Sequence, residues 1–305
     1  MKKRISFMSE DSTLVGDLYL PNHFEEGKSY PTIVVSGSWT TVKEQMAGLY
    51  AKKFSEEGMI ALAFDFRNYG ESEGEPRFYE EPSKKVEDIK HAVSYLLTLD
   101  MVDANKLYAF GVCAGAMYTA MATATDSRIK ALATAASWLH DAEAVKLFYG
   151  GEEGVREKRE AGQRALKTYK ETGVMEYIET ISTTNPDAAM FGEYDYYLNP
   201  SRGGVKEWSN DKFAVATWEE WLTLDPMPYA SVITVPTIMI HSDGCVLPQY
   251  TKNFYDNLSS VDKQLIWLEK EIAYPMEHQF NFYDQEEETN FAVSHIVNYL
   301  SEFKN

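Results

Sequence analysis

What most limits the folds open to this chain is a rhythm in its first half: short unbroken apolar runs, each followed by a stretch of helical spacing. The runs are residues 31–35, 59–66, 106–112 and 129–136. A strand that is apolar at every position is covered on both faces, which is the habit of parallel sheets. Between the runs, Met46, Leu49, Tyr50 and Phe54 recur at helical spacing until Gly58 stops them. Val86, Ile89, Val93, Leu96 and Leu97 share one face of a second helix, and a third is expected over 114–125. This alternation predicts an α/β fold, a mostly parallel central sheet with helices on both faces. Two alternating β-like runs, near 5–7 and 14–20, precede it and end at the turn signal Pro21-Asn22.

The rhythm breaks over 139–231, which is rich in Tyr, Trp, Glu and Lys, has no strand run and reads as mostly helical, above all at 155–172. It resumes with a buried strand at 235–240, a helix at 250–258, a strand at 264–268 and a terminal helix. That last helix carries Phe291, Val293, Ile296, Val297, Leu300 and Phe303 on one face. The expected organisation is a core of 1–138 and 232–305 with a helical cap of 139–231 inserted over the sheet's carboxyl edge. That edge is where open α/β sheets place their ligands.

Gly111-Val112-Cys113-Ala114-Gly115 sits between a strand and a helix and has the G-x-nucleophile-x-G form of a nucleophile elbow, with Cys where Ser is usual. The flanking glycines suit a strained turn in which a side chain would strike neighbouring backbone. A helix N-terminus beside the thiol favours thiolate. The plain alternative is a buried structural Cys. In such folds an acid and then a His follow in chain order. Asp243, in His241-Ser242-Asp243-Gly244-Cys245, stands just past the strand at 235–240; its plain alternative is a turn-forming Asp before Gly. His278 is expected in the loop between the last strand and the last helix. The other histidines serve worse: His295 and His91 fall within helices, His23 precedes the core, His140 opens the cap, and His241 comes too early. His278 would deprotonate Cys113 or pair with its thiolate, and Asp243 would fix the imidazole tautomer. Backbone N–H groups of Ala114 and Trp39, with Ser38 close behind Trp39, are the expected oxyanion donors. Whether Cys245 lies near the site or is a small buried hydrophobe stays open.

Together these residues resemble the α/β hydrolases, and among them bacterial enzymes akin to dienelactone hydrolases. The loop Gly37-Ser38-Trp39-Thr40-Thr41-Val42-Lys43-Glu44-Gln45 looks like the segment after the oxyanion strand in that group. Phe64-Asp65-Phe66-Arg67-Asn68-Tyr69-Gly70-Glu71-Ser72 is similar to the D-x-R-x-x-G-x-S stretch of the wider superfamily. The order of elbow, Ile240-His241-Ser242-Asp243 and a late His fits as well. The pattern departs at Ser36-Gly37, where His-Gly is familiar, and in the size of the cap. The resemblance implies a hydrolase of carboxylic ester, thioester or lactone bonds working through an acyl-thioester on Cys113. The readings kept beside it are a ligand-sensing protein and an acyl-transfer protein on the same scaffold. The aromatics Trp138, Tyr149, Tyr194, Tyr196, Tyr197, Trp218 and Trp221 are candidates for the pocket wall, although packing onto the core is the plainer reading of any single one.

Charge and composition bound the partners. A net charge of −18 over 305 residues repels phosphate backbones and anionic headgroups, so a small-molecule acyl substrate is expected and nucleic acid and membrane are not. No run approaches the ~20 apolar residues that span a bilayer. The basic start Met1-Lys2-Lys3-Arg4 has no apolar run behind it, and two cysteines make no disulfide framework, so a cytoplasmic location is expected. No metal-ligand spacing and no Gly-rich phosphate loop appears, so neither a metal nor a cofactor is expected. Nothing in the sequence sets the oligomeric state.

Overall fold

A strand apolar at every position can be buried only between two layers, and the chain builds those layers around one eight-stranded sheet. The computed structural model describes residues 1–303. The chain starts with an antiparallel hairpin, β1 (Lys2–Ser9) and β2 (Ser12–Tyr19). The βα series follows: β3 (Tyr30–Ser36), α1 (Met46–Glu56), β4 (Ile60–Phe64), α2 (Pro82–Leu96), β5 (Val102–Val112), α3 (Ala114–Thr125) and β6 (Ala131–Ala135). The cap region then holds α4 (Ala144–Phe148), α5 (Gly151–Thr172), β7 (Tyr177–Ile178), β8 (Ile181–Ser182), β9 (Met190–Phe191), α6 (Asp195–Leu198), β10 (Phe213–Ala214) and α7 (Thr217–Trp221). The chain returns to the sheet with β11 (Thr237–His241), α8 (Pro248–Asn257) and β12 (Lys263–Trp267), and ends on α9 (Glu277–Asp284) and α10 (Glu286–Ser301).

The strand order is β1-β2-β4-β3-β5-β6-β11-β12, antiparallel at the β1–β2 and β2–β4 pairs and parallel from β4 to β12. The α/β fold read from the sequence is therefore the one observed. Strands β4 and β6 are buried at all five positions, and β11 likewise, as their unbroken apolar runs require.

The sequence reading departs from the structure in two places. The cap region is not mostly helical: α5 is its one long helix, and β7 pairs with β10 while β8 pairs with β9. Two-residue strands are too short to show a period of two, so no pattern announces them. The segment around His278 is not a loop but the first turn of α9.

One buried charge cluster fixes the segment that follows β3. Lys43 is 2% exposed and donates to Asp65, Glu44 and Glu71 at 2.9, 2.6 and 2.8 Å. Its own backbone N–H donates to the other Asp65 oxygen at 2.7 Å. Burial alone would lower the Lys43 ammonium, but the three carboxylates outweigh it and hold the group above its ordinary value. The ammonium thus occupies the centre of an acidic trio whose spacing would otherwise suit a cation. Removing one partner of such a group leaves Asp65, fully buried, without its counter-charge. Lys43→Met should therefore cost about 3–5 kcal/mol in a denaturant unfolding curve; a loss under about 1 kcal/mol would show that the cluster does not hold this segment in place.

Candidate active site

The sharp turn from β5 into α3 puts Cys113 at φ 55° and ψ −124°, a region that L side chains rarely enter. The turn closes because its neighbours are glycines. A Cβ on Gly111 would come within 3.0 Å of the Gly115 carbonyl, and one on Gly115 within 3.0 Å of the carbonyls of Ser36 and Gly37. The backbone N–H of Cys113 donates to Ala135 at 3.2 Å, and its carbonyl accepts from Ala116 and Trp138. The elbow is thus tied to β6 and to the start of the cap. The backbone N–H of Trp39 has no protein acceptor among the described residues, and that of Ala114 is directed at the Cys113 sulfur. Ser38 instead spends its N–H on Met46 Sδ at 3.3 Å, and Thr40 spends its own on Glu80 at 3.0 Å.

The thiol lies at the wall of a cavity of about 510 Å³. Five of the seven expected aromatics, Trp138, Tyr149, Tyr194, Tyr197 and Trp221, line it. Tyr196 and Trp218 do not: Tyr196 packs on Tyr283 with ring centroids 5.0 Å apart, and Trp218 packs on Phe213 at 5.0 Å. Trp39 stacks on Trp221 at 4.7 Å, so the residue expected to give a backbone donor also packs the core with its ring.

The structure does not bring the three expected catalytic side chains together. Beside the Cys113 thiol are Ser38, Tyr283, the Ala114 N–H and Gln279. Burial pushes the thiol above its ordinary value, and those hydrogen-bonding groups offset it only in part, so the neutral thiol is favoured near neutral pH. Gln279 is held on every side. Its amide N–H groups donate to the Ala136 carbonyl at 2.9 Å and to the Tyr283 hydroxyl at 3.0 Å, and its oxygen accepts from the Val246 N–H at 3.1 Å.

His278, one residue earlier on α9, points elsewhere, because successive helical residues are turned by about 100°. Its ring lies against Gly244, where a Cβ would come within 2.6 Å of it. Its Nε2 lies 3.2 Å from the Glu271 carbonyl and its Nδ1 2.7 Å from Ser242 Oγ. A carbonyl only accepts, which assigns the proton to Nε2; Nδ1 then accepts from Ser242, whose oxygen accepts from the Gly244 N–H at 3.0 Å. Both ring nitrogens are engaged and neither lies on the cavity wall. Asp243 is out at the surface, its side chain 67% exposed and 3.7 Å from Lys252. His241 is fully buried, pushed down to about 3 by burial, and bonds the Val246 carbonyl at 3.1 Å. Cys245 is buried 3.5 Å from Ser242 Oγ, its thiol pushed up to about 12 by burial.

The residues that sequence reasoning passed over are Gln279 and Tyr283, together with the Ser38 side chain, whose hydroxyl accepts from Tyr197 at 3.3 Å. A signal for the first two was present. Met276, Gln279, Phe280 and Tyr283 recur at helical spacing, all four line the cavity, and His278 falls off that face.

The sheet order, the elbow at the end of β5 and the cavity above it are those of the α/β hydrolases. By structure the chain is similar to PA2218 from Pseudomonas aeruginosa, with a TM-score of 0.83 and 24% identity over 99% of this chain and 93% of that one. It is also similar to the α/β hydrolase GrgF from Penicillium sp. sh18, with a TM-score of 0.79 and 19% identity over 99% and 98%. By sequence it is 31% identical to the protein YcjY of Escherichia coli (strain K12) over 277 residues, 87% of this chain and 89% of that protein. It is 30% identical to PA2218 over 80% of this chain and 67% of that protein. The chain therefore belongs to the family of YcjY, and its fold is that of the α/β hydrolases. Shorter likenesses reach the acyltransferase drtE of Aspergillus calidoustus, 31% identical over 39% of this chain and 38% of that protein, and the thiohydrolase aneE of Aspergillus aculeatus, 32% over 41% and 38%. No protein-family model matches the chain.

The state of the thiol is directly testable. Iodoacetamide should modify Cys113 slowly at pH 7.5, with a rate that climbs about tenfold per pH unit and has not levelled off by about pH 8.5, where an ordinary thiol is half ionised. Cys245 should be slower still. A Cys113 rate that is already flat below pH 8 would mean that a base reaches the thiol.

Proposed function

We propose that this chain is an enzyme of small-molecule acyl esters or thioesters that carries the acyl group on Cys113 and passes it on by transfer more readily than by hydrolysis. The first half-reaction runs through the minor thiolate fraction of Cys113, since burial favours the thiol. The Cys113 sulfur adds to the carbonyl carbon, the N–H groups of Trp39 and Ala114 receive the developing oxyanion, and the bond to the leaving group breaks. The thiol proton leaves with the alcohol or thiol, so that one thioester forms for each ester consumed. Strain at the elbow, the unengaged Trp39 amide and the Ala114 amide directed at the sulfur, all beside a cavity, support this reading. The thiohydrolase and acyltransferase named among the partial relatives agree with it.

The single observation that carries the preference for transfer is that Gln279 and Tyr283, not His278, are the α9 side chains beside the thiol. An amide has no lone pair basic enough to take a proton from water, so the acyl-enzyme has no general base for hydrolysis. An acceptor that brings its own nucleophile, an amine or a thiol, does not need one to the same degree. A triad of Cys113, His278 and Asp243 would require the first turn of α9 to rotate by about 100° and Asp243 to come in from the surface.

The test is p-nitrophenyl butyrate. The native protein should release one equivalent per chain in a burst and carry a butyryl adduct on Cys113 by mass, then turn over slowly until hydroxylamine or a small thiol is added. Cys113→Ala should show neither burst nor adduct. Gln279→His should raise hydrolytic turnover by roughly 10²-fold by placing an imidazole at the acyl-thioester. Sustained turnover in the native protein that His278→Ala abolishes would instead establish His278 as the base.

A further inference from the structure

Only two charged side chains, Glu157 and Lys158, are among the residues that line the Cys113 cavity, and they differ in placement. Both come from α5. Glu157 is exposed. Lys158 shares a helix face with Gly154, Gly162 and Ala165, four residues before it and four and seven after, and Gly162 and Ala165 are buried. An amphipathic helix turns that face toward the protein. Lys158 is accordingly half-buried, its Nζ 4.9 Å from the ring centroid of Trp218.

A cation brought in from water needs a counter-charge, and here the protein supplies none in contact. No carboxylate among the described residues lies within 4.0 Å of Lys158 Nζ, whereas Arg159, the next residue, is paired with Glu219 at 3.1 Å. Glu157 and Asp187 act on Lys158 only at longer range, and burial outweighs them, holding the ammonium below its ordinary value. The aromatic face of Trp218 is a weak substitute for an anion. In a chain with a net charge of −18, a cation with no carboxylate in contact among the described residues, at the wall of an aromatic cavity, is an uncommon placement.

We propose that Lys158 recognises an anionic group on the substrate, so that the acyl chains this site prefers end in a carboxylate. This deepens the acyl-transfer reading of Cys113 and rests on it. The carbonyl would sit at Cys113 against the Trp39 and Ala114 amides, the methylene chain along Trp138, Tyr149 and Trp221, and the distal carboxylate at Lys158. A neutral chain of equal length would bury its methyl end where the cavity offers a charge. The reaction is unchanged: the Cys113 thioester forms, the ester bond breaks, and the thiol proton leaves with the leaving group.

The test compares mono-p-nitrophenyl suberate with p-nitrophenyl octanoate, chains of equal carbon number, by the rate at which each acylates Cys113 and with the adduct read by mass. The suberate should react about tenfold faster, as a hydrogen bond to a charged group would give, and the advantage should shrink as salt is raised. Lys158→Met should bring the ratio of the two rates close to one. Lys167→Met, on the exposed side of α5 and paired only with Glu171 at 3.9 Å, should leave the ratio as it is. Lys158→Gln serves if the Met variant does not fold. Equal rates for the two esters in the native protein, or a suberate preference that survives the loss of Lys158, would overturn the inference while leaving acylation of Cys113 intact. Failure of both esters to acylate Cys113 would overturn the underlying reading, and this one with it.

Discussion

Helix α3 abuts the carboxyl end of β3 so closely that the carbonyls of Ser36 and Gly37 fill the space a side chain would take at Gly115. That contact sets where Cys113 stands relative to the loop that carries Trp39, and the rest of the site is arranged around it. Glu80 ties the same two elements from behind. Its carboxylate accepts from the Thr40 N–H at 3.0 Å, from the Tyr118 hydroxyl on α3 at 2.6 Å, and pairs with the fully buried Lys85 at 2.8 Å. Thr40 has a positive φ, as do Cys113, Leu247 and Met276, each at the cavity or next in the chain to a residue that lines it, and Ala136, whose carbonyl accepts from Gln279. Each such residue costs of order 1 kcal/mol or more and persists only where the surroundings over-determine it. The backbone is therefore constrained at the turn, at the loop after β3 and at the start of α9 together.

The parts of this arrangement that the sequence made legible are those that follow from local steric demand. An unbroken apolar run can only be a covered strand, and Gly111 and Gly115 flank a turn that tolerates no Cβ, so the sheet, α3 and the elbow were readable residue by residue. What faces the elbow from α9 depends on helix phase, and one residue of phase separates His278 from Gln279. Chain order and residue chemistry pointed to His278. The spacing of Met276, Gln279, Phe280 and Tyr283 pointed to the other face, and it is the face that lines the cavity. The same kind of slip separates Ser242 from Asp243. The Asp-Gly pair turns the carboxylate out toward Lys252, while the shorter Ser242 side chain stays inside against the imidazole.

The cap was legible only in α5, long enough to show a period. Its other elements are two-residue strands and single helical turns whose positions are set by contacts with distant parts of the chain. Gln45 Nε2 reaches the Gly203 carbonyl at 2.7 Å, Tyr197 reaches Ser38, and Arg202 pairs with Asp284 at 2.6 Å. No local pattern encodes partners more than 80 residues apart. Five of the seven aromatics expected at the pocket wall nevertheless reach the cavity, because a region that buries large rings and packs over a sheet edge has few other places to put them.

The two halves of the proposed acyl chemistry make different demands, and this site would meet them unequally. Forming the acyl-thioester needs a placed sulfur and a receiving pair of amides, both of which are backbone properties of the elbow and the β3 loop. Releasing the acyl group to water needs a base that can move with the reaction. Gln279 cannot become one by a small adjustment: its amide gives both N–H groups to Ala136 and Tyr283 and takes the N–H of Val246, so any rotation breaks three bonds in a buried setting. His278 is locked by its two bonds and by its seat on Gly244. On the proposed reading of Cys113 as acyl carrier, a site with rigid acyl-accepting geometry and no mobile base would keep the acyl group until an acceptor arrives with its own nucleophile.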